Sequence, residues 1–317
     1  MDIYFAPLEG VTDVIYRRVH HACFSGVTKY FIPFISPTQQ MHLTNREMRS
    51  VDPSQNAGIP VVPQILTKYP GHFVGMARML ADMGYDEVNL NLGCPSGTVT
   101  AKGKGSGLLR ELTVLKAFLD EIFENCPIAI SVKTRVGFET TDEWPALMDL
   151  LARYPIKELT VHPRTRSEFY NGTPHRELCA AIPEGIPFVY NGDLFTAGDC
   201  ARLAGMYPGA KALMLGRGLI ANPALAQETK GGPALTRDML RDFHDRLYMA
   251  YSESWPANAV VGRMHEIMHY MGSCFENSKK PRKAIRKANT APAYLEAVNW
   301  LFSDFPLREN PGFIPES

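Results

Sequence analysis

The sequence predicts a parallel (β/α)8 barrel of the TIM type, followed by a small all-helical domain. Short apolar runs recur along the first two thirds of the chain, starting about 25 to 35 residues apart, as expected of a strand plus its crossover helix. After about residue 226 these runs stop and only helical periodicity continues. The alternative is a doubly wound open sheet, which usually has fewer strands and carries a G-x-G-x-x-G signature after its first strand. That signature is absent here.

Eight apolar runs are the predicted strands of the barrel, and helical patterns separate them. The clearest helices cover residues 73–83, closed by Gly84, and 108–125, with apolar residues on one face. Eight strands, each followed by a helix, is the element count of a TIM barrel. The predicted strands are residues 3–6, 27–35, 61–66, 88–92, 128–132, 159–161, 188–190 and 212–215.

The C-terminal quarter is predicted to be helical throughout. Gly231-Gly232-Pro233 interrupts the chain, and both residue types are poor continuers of regular structure. We therefore expect a barrel over residues 1–230, a helical domain over 231–307 and a loose tail over 308–317. The predicted helices of this part are residues 235–251, 257–271, 281–288 and 291–301.

Composition excludes several classes of protein. Lys plus Arg equals Asp plus Glu at 33 each, so any polyanion must be bound by a local patch rather than by net charge. The six cysteines are scattered without a C-x-x-C pair, which argues against a metal site. No signal peptide and no run of 18 apolar residues is present, so we expect a reduced cytoplasmic protein that does not enter membranes. With no obvious interface stripe, a monomer is predicted.

A cysteine is placed at the end of a strand, on a glycine-rich loop. The alternating pattern of residues 87–92 stops at Gly93-Cys94-Pro95, because proline cannot continue a strand ladder. Four glycines follow by residue 107, in a loop of more than a dozen residues without predicted regular structure. Such loops are typical of lids and binding sites, and glycine permits close approach to a ligand. The alternative is a buried structural cysteine.

Polar residues and glycines follow most of the predicted strands. In a TIM barrel the C-terminal ends of the strands carry the chemistry, so their convergence predicts an active site there. A single histidine or lysine would more often be structural. The strand ends concerned carry Pro7 to Gly10, Gln64, Asn91 to Cys94, Lys133 to Arg135, His162 to Arg164, Asn191 to Asp193, and Gly216-Arg217.

The last two strand ends indicate a phosphate. Asn191-Gly192-Asp193 and Gly216-Arg217-Gly218 supply backbone N–H groups and one cation, and barrels often bind phosphate with the loops after strands seven and eight. Lys133 places a positive charge near the barrel centre, beside a ring that becomes anionic on reduction. This combination suits flavin mononucleotide (FMN), and by spacing alone a sugar phosphate fits as well.

These residues together resemble the tRNA-dihydrouridine synthase family, across about residues 3–228. The most specific motif is Asn-x-Gly-Cys-Pro at 91–95 with a Gly-x-Gly run about ten residues on. The helical part resembles the family more weakly, through Arg263-Met264-His265 and Tyr270-Met271-Gly272. The other matching motifs are Ala6 to Asp13, Gln64, Val132-Lys133-Thr134-Arg135-Val136-Gly137, Thr160-Val161-His162-Pro163-Arg164-Thr165, Asn191-Gly192-Asp193 and Gly216-Arg217-Gly218.

The resemblance implies a reaction. FMN would lie across the barrel mouth, and a uridine flipped out of a folded tRNA would stack over it. Reduced flavin would pass a hydride from N5 to C6 of the uracil while Cys94 protonates C5, with NADPH as the reductant. A thiol with an ordinary pKa near ~8.5 is still protonated at neutral pH and can act as a general acid. Extruding a base costs a few kcal/mol, least in an irregular RNA loop.

The resemblance also implies roles for single residues. Asn91, Arg135 and Arg164 would face the uracil or nearby phosphates. Two positions depart from the family pattern: Glu9 replaces a small residue and Pro163 replaces a glycine. The residues that match the FMN-binding positions are Pro7, Leu8, Glu9, Gln64, Lys133, His162, Asn191, Gly192, Asp193, Gly216 and Arg217.

A basic segment at residues 279–287 is the predicted tRNA contact, because it contains six cations and no acid. On a helix Arg282 and Arg286 share one face, as do Lys283 and Lys287. Lys102 and Lys104 add charge to the glycine-rich loop. The plainer interpretation of a charge run is a solvated helix face.

Two other functions remain open at this level. One is a flavin barrel oxidoreductase acting on a free pyrimidine, similar to dihydroorotate dehydrogenase, in which the basic helical domain has no role. The other is an RNA-binding or chaperone module without catalysis, against which the presence of Cys94, Lys133 and His162 argues.

Overall fold

The computed structural model describes residues 1–315, which form two compact units interleaved along the chain. The division predicted at residue 230 stays a prediction, because neither unit follows it. The first unit comprises Met1–Pro7, Lys29–Gly192 and Tyr207–Met214, and the second comprises Leu8–Thr28, Asp193–Met206 and Leu215 to the last described residue.

The strands form one parallel sheet in the order β3-β2-β1-β9-β8-β7-β6-β5-β4. β3 and β4 are separated only by Pro63, which lacks a backbone N–H, so they are two halves of one strand and the ring closes through them. Eight parallel strand positions confirm the predicted TIM barrel. The strands are β1 (Asp2–Phe5), β2 (Lys29–Phe31), β3 (Val61–Val62), β4 (Gln64–Ile65), β5 (Glu87–Leu92), β6 (Ala129–Gly137), β7 (Leu159–Thr165), β8 (Phe188–Tyr190) and β9 (Ala212–Leu215).

Helices follow the strands with one difference from the expectation. After β7 the chain forms only a short 3-10 helix, Arg176–Ala181. The α-helices are α1 (Val14–Cys23), α2 (Asn45–Val51), α3 (Pro70–Asp82), α4 (Gly97–Thr100), α5 (Leu112–Asn125), α6 (Trp144–Leu151), α7 (Ala197–Met206), α8 (Arg217–Ala221), α9 (Leu225–Thr229), α10 (Arg237–Ser252), α11 (Ala257–Met271), α12 (Lys279–Lys287) and α13 (Ala291–Asp304). The other 3-10 helices are Gly105–Arg110, Thr141–Glu143 and Gly272–Cys274.

Side chains along β5 and β6 alternate between the two faces of the sheet, and this alternation decides which of them lie together. Successive side chains of a strand point to opposite faces. Asn89 and Asn91 therefore share one face of β5, and Leu90 and Leu92 share the other. The parallel register places Asn91 beside Lys133 and Arg135 beside His162. The polar residues of neighbouring strands therefore lie at matching heights on one face of the sheet.

β6 and β7 are longer than the apolar runs predicted. They pair through Arg135 and His162, and again through Gly137 and Thr165, with a register irregularity between the two pairs. Pro163 lies inside this irregular stretch, where a missing N–H donor does not break a regular ladder. The departure at Pro163 is thus accommodated by a bulge.

An ionic cluster lies at the N-terminal ends of the strands of the first unit, and sequence reasoning did not identify it. Glu158 accepts from the amines of Lys29 at 2.8 Å and Lys211 at 2.6 Å, and from the hydroxyl of Tyr4 at 3.0 Å. Glu87 accepts from Lys29 at 3.1 Å. Because the two carboxylates are buried and each has a cationic partner, the cluster ties β1, β2, β5 and the start of β7 together.

The second unit has a separate core. α1 and α10 meet through edge-to-face contacts of Tyr16 and Phe24 with Phe243, with ring centroids 5.7 and 5.3 Å apart. His244 of α10 lies 2.7 Å from the hydroxyl of Tyr294 on α13. α1 packs with the C-terminal helices rather than as part of the first unit.

Residues 308–315, predicted to be part of a loose tail, make defined contacts within the second unit. Leu307 bridges to Phe275, and the Arg308 guanidinium donates to the Ser273 carbonyl at 3.1 Å. Phe313 is buried against Phe195, with ring centroids 5.4 Å apart. Apolar burial of Phe313 therefore orders this segment, whereas residues 316 and 317 lie outside the described chain. Within residues 1–315, no helix combines the length and apolar character needed to cross a membrane.

Candidate active site

Asn91 positions the backbone of Cys94. The Asn91 side-chain oxygen accepts from the N–H of Gly93 at 3.0 Å and from that of Cys94 at 2.9 Å. The turn that follows β5 is thereby hydrogen-bonded to the last inward-facing side chain of that strand. The half-buried thiol is delivered at the C-terminal strand end, as predicted.

A chain of amides supports Asn91 from below. Its Nδ2 donates to Gln64 Oε1 at 2.7 Å, and Gln64 Nε2 donates to Asn89 Oδ1 at 2.7 Å. Asn89 Nδ2 then donates to Ser131 Oγ at 2.9 Å. Because every member is buried and paired, the network fixes which way each amide points. Gln64 is predicted to hold the cofactor, and both its amide nitrogen and its amide oxygen are hydrogen-bonded within this network.

The loop after Cys94 is structured, unlike the expectation, and its glycines serve the protein's own packing. It contains α4 and the 3-10 helix Gly105–Arg110. Ser106 donates to the Cys94 carbonyl through both its N–H, at 3.2 Å, and its hydroxyl, at 2.8 Å. Gly105 has φ +58°, and a Cβ there would lie 3.0 Å from Cys94 Cβ. Only glycine permits this approach, so the loop clamps the turn that carries Cys94.

The amine of Lys133 interacts electrostatically with Cys94. Burial and the neighbouring Arg135 lower the pKa of the Lys133 amine to about 7, while Cys94 acts in the opposite direction. No carboxylate forms an ion pair with Lys133 in the described part of the chain. An amine with a pKa near neutrality and no anionic partner is suited to binding a group that carries negative charge.

Arg135 and Arg164 hold backbone carbonyls. Arg135 donates to Gly93 at 2.9 Å, Thr165 at 2.8 Å and Phe169 at 2.7 Å, and only 1% of the residue is exposed. Arg164 likewise donates to two carbonyls of the loop after β7. Both guanidinium groups therefore order loops at the strand ends, and their contact with substrate stays a prediction.

His162 is buried on the same face of β7. Its Nε2 lies 3.1 Å from Arg164 Nη1. Since a guanidinium can only donate, this contact makes Nε2 an acceptor and leaves the proton of a neutral ring on Nδ1. His162 is thereby held in one orientation for its predicted role toward a cofactor.

Tyr170 was missed by sequence reasoning. Its ring lies 5.9 Å from that of His162 and 5.4 Å from the Arg135 guanidinium, and the residue is 53% exposed. An exposed aromatic ring beside the polar strand ends offers a stacking surface for a base. The available signal was an aromatic pair, Phe169-Tyr170, shortly after the Arg-Thr strand end.

Asn191 and Gly192 complete the predicted residues of the first unit. Asn191 donates to the Met214 carbonyl at 2.8 Å and so joins the ends of β8 and β9. A Cβ on Gly192 would lie 3.5 Å from His162 Cδ2. Pro7, half-buried, follows β1.

The remaining predicted cofactor residues belong to the second unit. Arg217 Nη2 lies 2.8 Å from Asp193 Oδ1, and the guanidinium is 5.3 Å from the rings of Phe195 and Phe313. Gly216 directly precedes α8. Leu8 donates its N–H to Thr12 Oγ1 at 2.9 Å, while Glu9 is exposed.

The basic residues predicted to bind RNA are accessible. Lys102 is exposed and Lys104 half-buried, and the pKa of Lys104 is lowered by burial and then by Lys102 and Lys68. On α12, Lys283, Arg286 and Lys287 are exposed and Arg282 is half-buried. No cluster of His, Cys, Asp and Glu that could bind a metal occurs among residues 1–315.

Comparison with known proteins identifies the family. The family model described as Dihydrouridine synthase (Dus) matches residues 4–295. The chain belongs to the dihydrouridine synthase family. This membership confirms the resemblance drawn from the Cys94 motif and the predicted enzyme class, an oxidoreductase.

Individual relatives agree with this assignment. A tRNA-dihydrouridine synthase B of Pasteurella multocida is 30% identical over 226 residues, 70% of this chain and 67% of that protein. A probable tRNA-dihydrouridine synthase of Rickettsia bellii is 26% identical over 323 residues, 97% of each chain. The old yellow enzyme homologue of Zymomonas mobilis has a similar fold, with a TM-score of 0.51 at 12% identity, covering 74% of this chain and 90% of that one.

Proposed function

We propose that this dihydrouridine synthase reduces a uridine of tRNA to 5,6-dihydrouridine, with FMN as its cofactor and NADPH as the reductant. The observation that carries the proposal is the clamped thiol of Cys94 beside the amine of Lys133, in a chain whose family model covers both. The relatives named above are tRNA-dihydrouridine synthases, which supports tRNA as the substrate.

The residues of the first unit are compatible with a flavin. Lys133 offers a cation without a carboxylate partner among the described residues, and Gly192 leaves open the space that a Cβ would take next to His162. Lys133, His162, Asn191 and Gly192 would hold the flavin from this unit. When bound in its reduced form, FMN supplies a hydride for C6 of the uracil.

Cys94 donates the matching proton. The Cys94 N–H donates to Asn91 and the Cys94 carbonyl accepts from Ser106, so the Cys94 backbone is fixed on both sides and the thiol samples few positions. A thiol proton transferred to C5 leaves a thiolate, and the nearby Lys133 ammonium stabilises that charge. Exchange with solvent through the half-exposed site restores the thiol.

In the second unit we assign the flavin phosphate to Gly216 and Arg217, with Leu8, Glu9 and Asp193 as further contacts, and Pro7 is a further cofactor residue of the first unit. Arg217 is already paired with Asp193. A phosphate would share the guanidinium with that carboxylate, which makes Arg217 a fixed rather than a mobile anion ligand.

The proposal is tested by the visible absorbance of purified protein reduced anaerobically with NADPH. We expect the oxidised flavin band to return when unmodified tRNA is added, and not when free uridine or orotate is added. Recovery with a free pyrimidine alone would instead support the dihydroorotate dehydrogenase-like alternative. A chain that purifies without flavin and takes up none would contradict the proposal.

A further inference from the structure

A basic cavity of about 220 Å³ lies between α11 and α12 of the second unit. Four cations of α12 line it, at spacings of three, one and three residues that place them on one helical face. Two histidines of α11, at positions i and i+4, line the opposite wall. The polar lining comprises Lys279, Arg282, Lys283 and Arg286, with His265 and His269 facing them, and Met268 and Ile285 form its apolar part.

Three of the four cations in this cavity have no ionic partner within the described chain. No carboxylate lines the cavity, and Lys279, Lys283 and Arg286 form no ion pair with any of residues 1–315. Like charges four residues apart destabilise a helix, as at Lys279 and Lys283, and a cation in the first turn, such as Lys279, opposes the helix dipole. A bound anion would therefore stabilise α12.

Arg282 is held in place before any ligand binds. Its Nη2 donates to the His269 carbonyl at 3.4 Å, at the end of α11. A Cβ on Gly272 would lie 3.0 Å from Arg282 Cγ, so the absence of a side chain there lets the arginine lie flat. A preordered guanidinium loses less entropy when it binds an oxyanion.

His265 adds a hydrogen-bond acceptor to the cavity. Its Nε2 is buried and makes no hydrogen bond within the described chain. The ring interacts with the backbone at Ala288 and Ile285 at the end of α12, where helix carbonyls lack partners. Because Nε2 makes no hydrogen bond among the described residues, we assign these contacts to Nδ1. The four cations that line the same cavity disfavour a further positive charge on the ring, and a neutral ring with its proton on Nδ1 leaves Nε2 as an acceptor.

A bound anion would pair with the four cations but would leave the buried acceptor, His265 Nε2, without a hydrogen-bond donor. RNA presents both features in one unit, a phosphate and an adjacent 2′-hydroxyl that can donate. The volume greatly exceeds the roughly 10–15 Å³ that one water requires, so a phosphate and part of a sugar fit.

We propose that this cavity binds one ribose-phosphate unit of tRNA, with Lys279, Arg282, Lys283 and Arg286 on the phosphate and His265 Nε2 accepting from the 2′-hydroxyl. The inference rests on the proposed tRNA substrate and assigns a discrete site within the basic segment. Lys230 and Arg237 are exposed cations of the same unit that lie outside both the basic segment and the cavity lining. They provide a control of equal charge.

The experiment compares K283Q/R286Q with K230Q/R237Q in the full-length protein, by anisotropy titration with unmodified tRNA at several salt concentrations. We expect K283Q/R286Q to weaken binding about tenfold and to lower the slope of log K against log salt by roughly 1.5. The control pair should change binding less than about threefold. Equal losses for both pairs would show diffuse attraction and overturn the proposal.

A second arm tests the sugar contact with H265F, whose ring keeps the place beside Tyr294. We expect H265F to weaken binding of tRNA but not of a DNA copy of the same sequence, whereas the loss of its backbone contacts on α12 lowers the melting temperature without distinguishing the two ligands. Equal weakening for both would remove the 2′-hydroxyl contact. Inorganic phosphate should compete only at millimolar concentration, and tight phosphate competition would assign the cavity to a free anion.

Failure of this inference is distinguishable from failure of the proposed function. Wild-type protein that oxidises its flavin with tRNA, while both charge pairs behave alike, contradicts only the cavity. Wild-type protein that does not respond to tRNA contradicts the proposed function itself.

Discussion

The side-chain oxygen of Asn91 lies 2.9 Å from the backbone nitrogen of Cys94. A residue rooted in a strand thus fixes a residue on the following loop, which gives the thiol the precision of the barrel rather than the mobility of a loop. Asn91 also donates to Gln64 at 2.7 Å. The position of Cys94 therefore depends on a buried network that spans β4, β5 and β6.

Replacing Cys94 with Ala should lower the rate of uridine reduction about 10²- to 10⁴-fold, because the uracil loses its general acid. Flavin content should not change. Single-turnover reoxidation of reduced enzyme by tRNA measures the step. Cys126→Ala is the matched control, since Cys126 is also half-buried but donates to Ile128. Full turnover in Cys94→Ala would exclude Cys94 as the proton donor.

Gly105→Ala should lower the free energy of unfolding by about 1–3 kcal/mol, because alanine is strained at φ +58° and its Cβ would meet Cys94 Cβ at 3.0 Å. The displaced turn should also slow uridine reduction. Urea unfolding and turnover are measured together. Gly97→Ala is the control, since no atom lies within 4 Å of its Cβ position. Equal stability of the two variants would show that the loop does not clamp Cys94.

Lys133→Met should stabilise the flavin-free protein at pH 7, and its advantage should shrink as the pH rises toward ~10. The folded pKa of about 7 lies below the ordinary value of 10.5. The unfolded chain therefore binds more protons between these values, and wild-type stability rises across that window. Urea unfolding of both proteins at several pH values measures the difference. A difference that is independent of pH would contradict the lowered pKa.

Glu158→Gln should cost about 3 kcal/mol at pH 7, because Lys29 loses a buried anionic partner. Burial alone would raise the pKa of Glu158, but hydrogen bonds from Lys211, Lys29 and Tyr4 outweigh it and lower that pKa. This stability is present above the unfolded pKa near ~4.3 and is lost as the pH falls through the folded value.

Chemical denaturation between pH 3 and 7 measures the Glu158 effect, and the gap between variant and wild type should narrow at acidic pH. Asp120→Asn removes the exposed pair with Lys116 and should change stability by less than about 1 kcal/mol. A similar effect of both substitutions would show that the ionic cluster contributes no more than a surface pair.

The sequence by itself determined the barrel and the polar residues at its strand ends. Apolar runs at regular intervals specify strands and crossovers, because periodicity reports which side of an element is buried. β5 ends at Leu92, shortly before Pro95, and the alternation of Asn89 and Asn91 places amides on one face. These are local properties of the chain, and local properties can be predicted from one sequence.

Tertiary structure decided what those residues contact. The glycines after Cys94 predict close approach, but only the fold shows that Gly105 approaches Cys94 itself. Arg135 lies near the C-terminal end of β6. It donates to the Phe169 carbonyl, which belongs to a loop more than thirty residues further along the chain.

Tertiary contacts also explain where the C-terminal part of the structure differs from the predictions. Phe313 orders a segment of loop-like composition because Phe195 offers it an apolar surface. On α12 the helical repeat predicted two basic pairs, 282 with 286 and 283 with 287, and only packing against α11 brings Arg282, Lys283 and Arg286 to one cavity. Contacts between residues distant in sequence depend on how elements pack, and no local pattern of one chain encodes that choice.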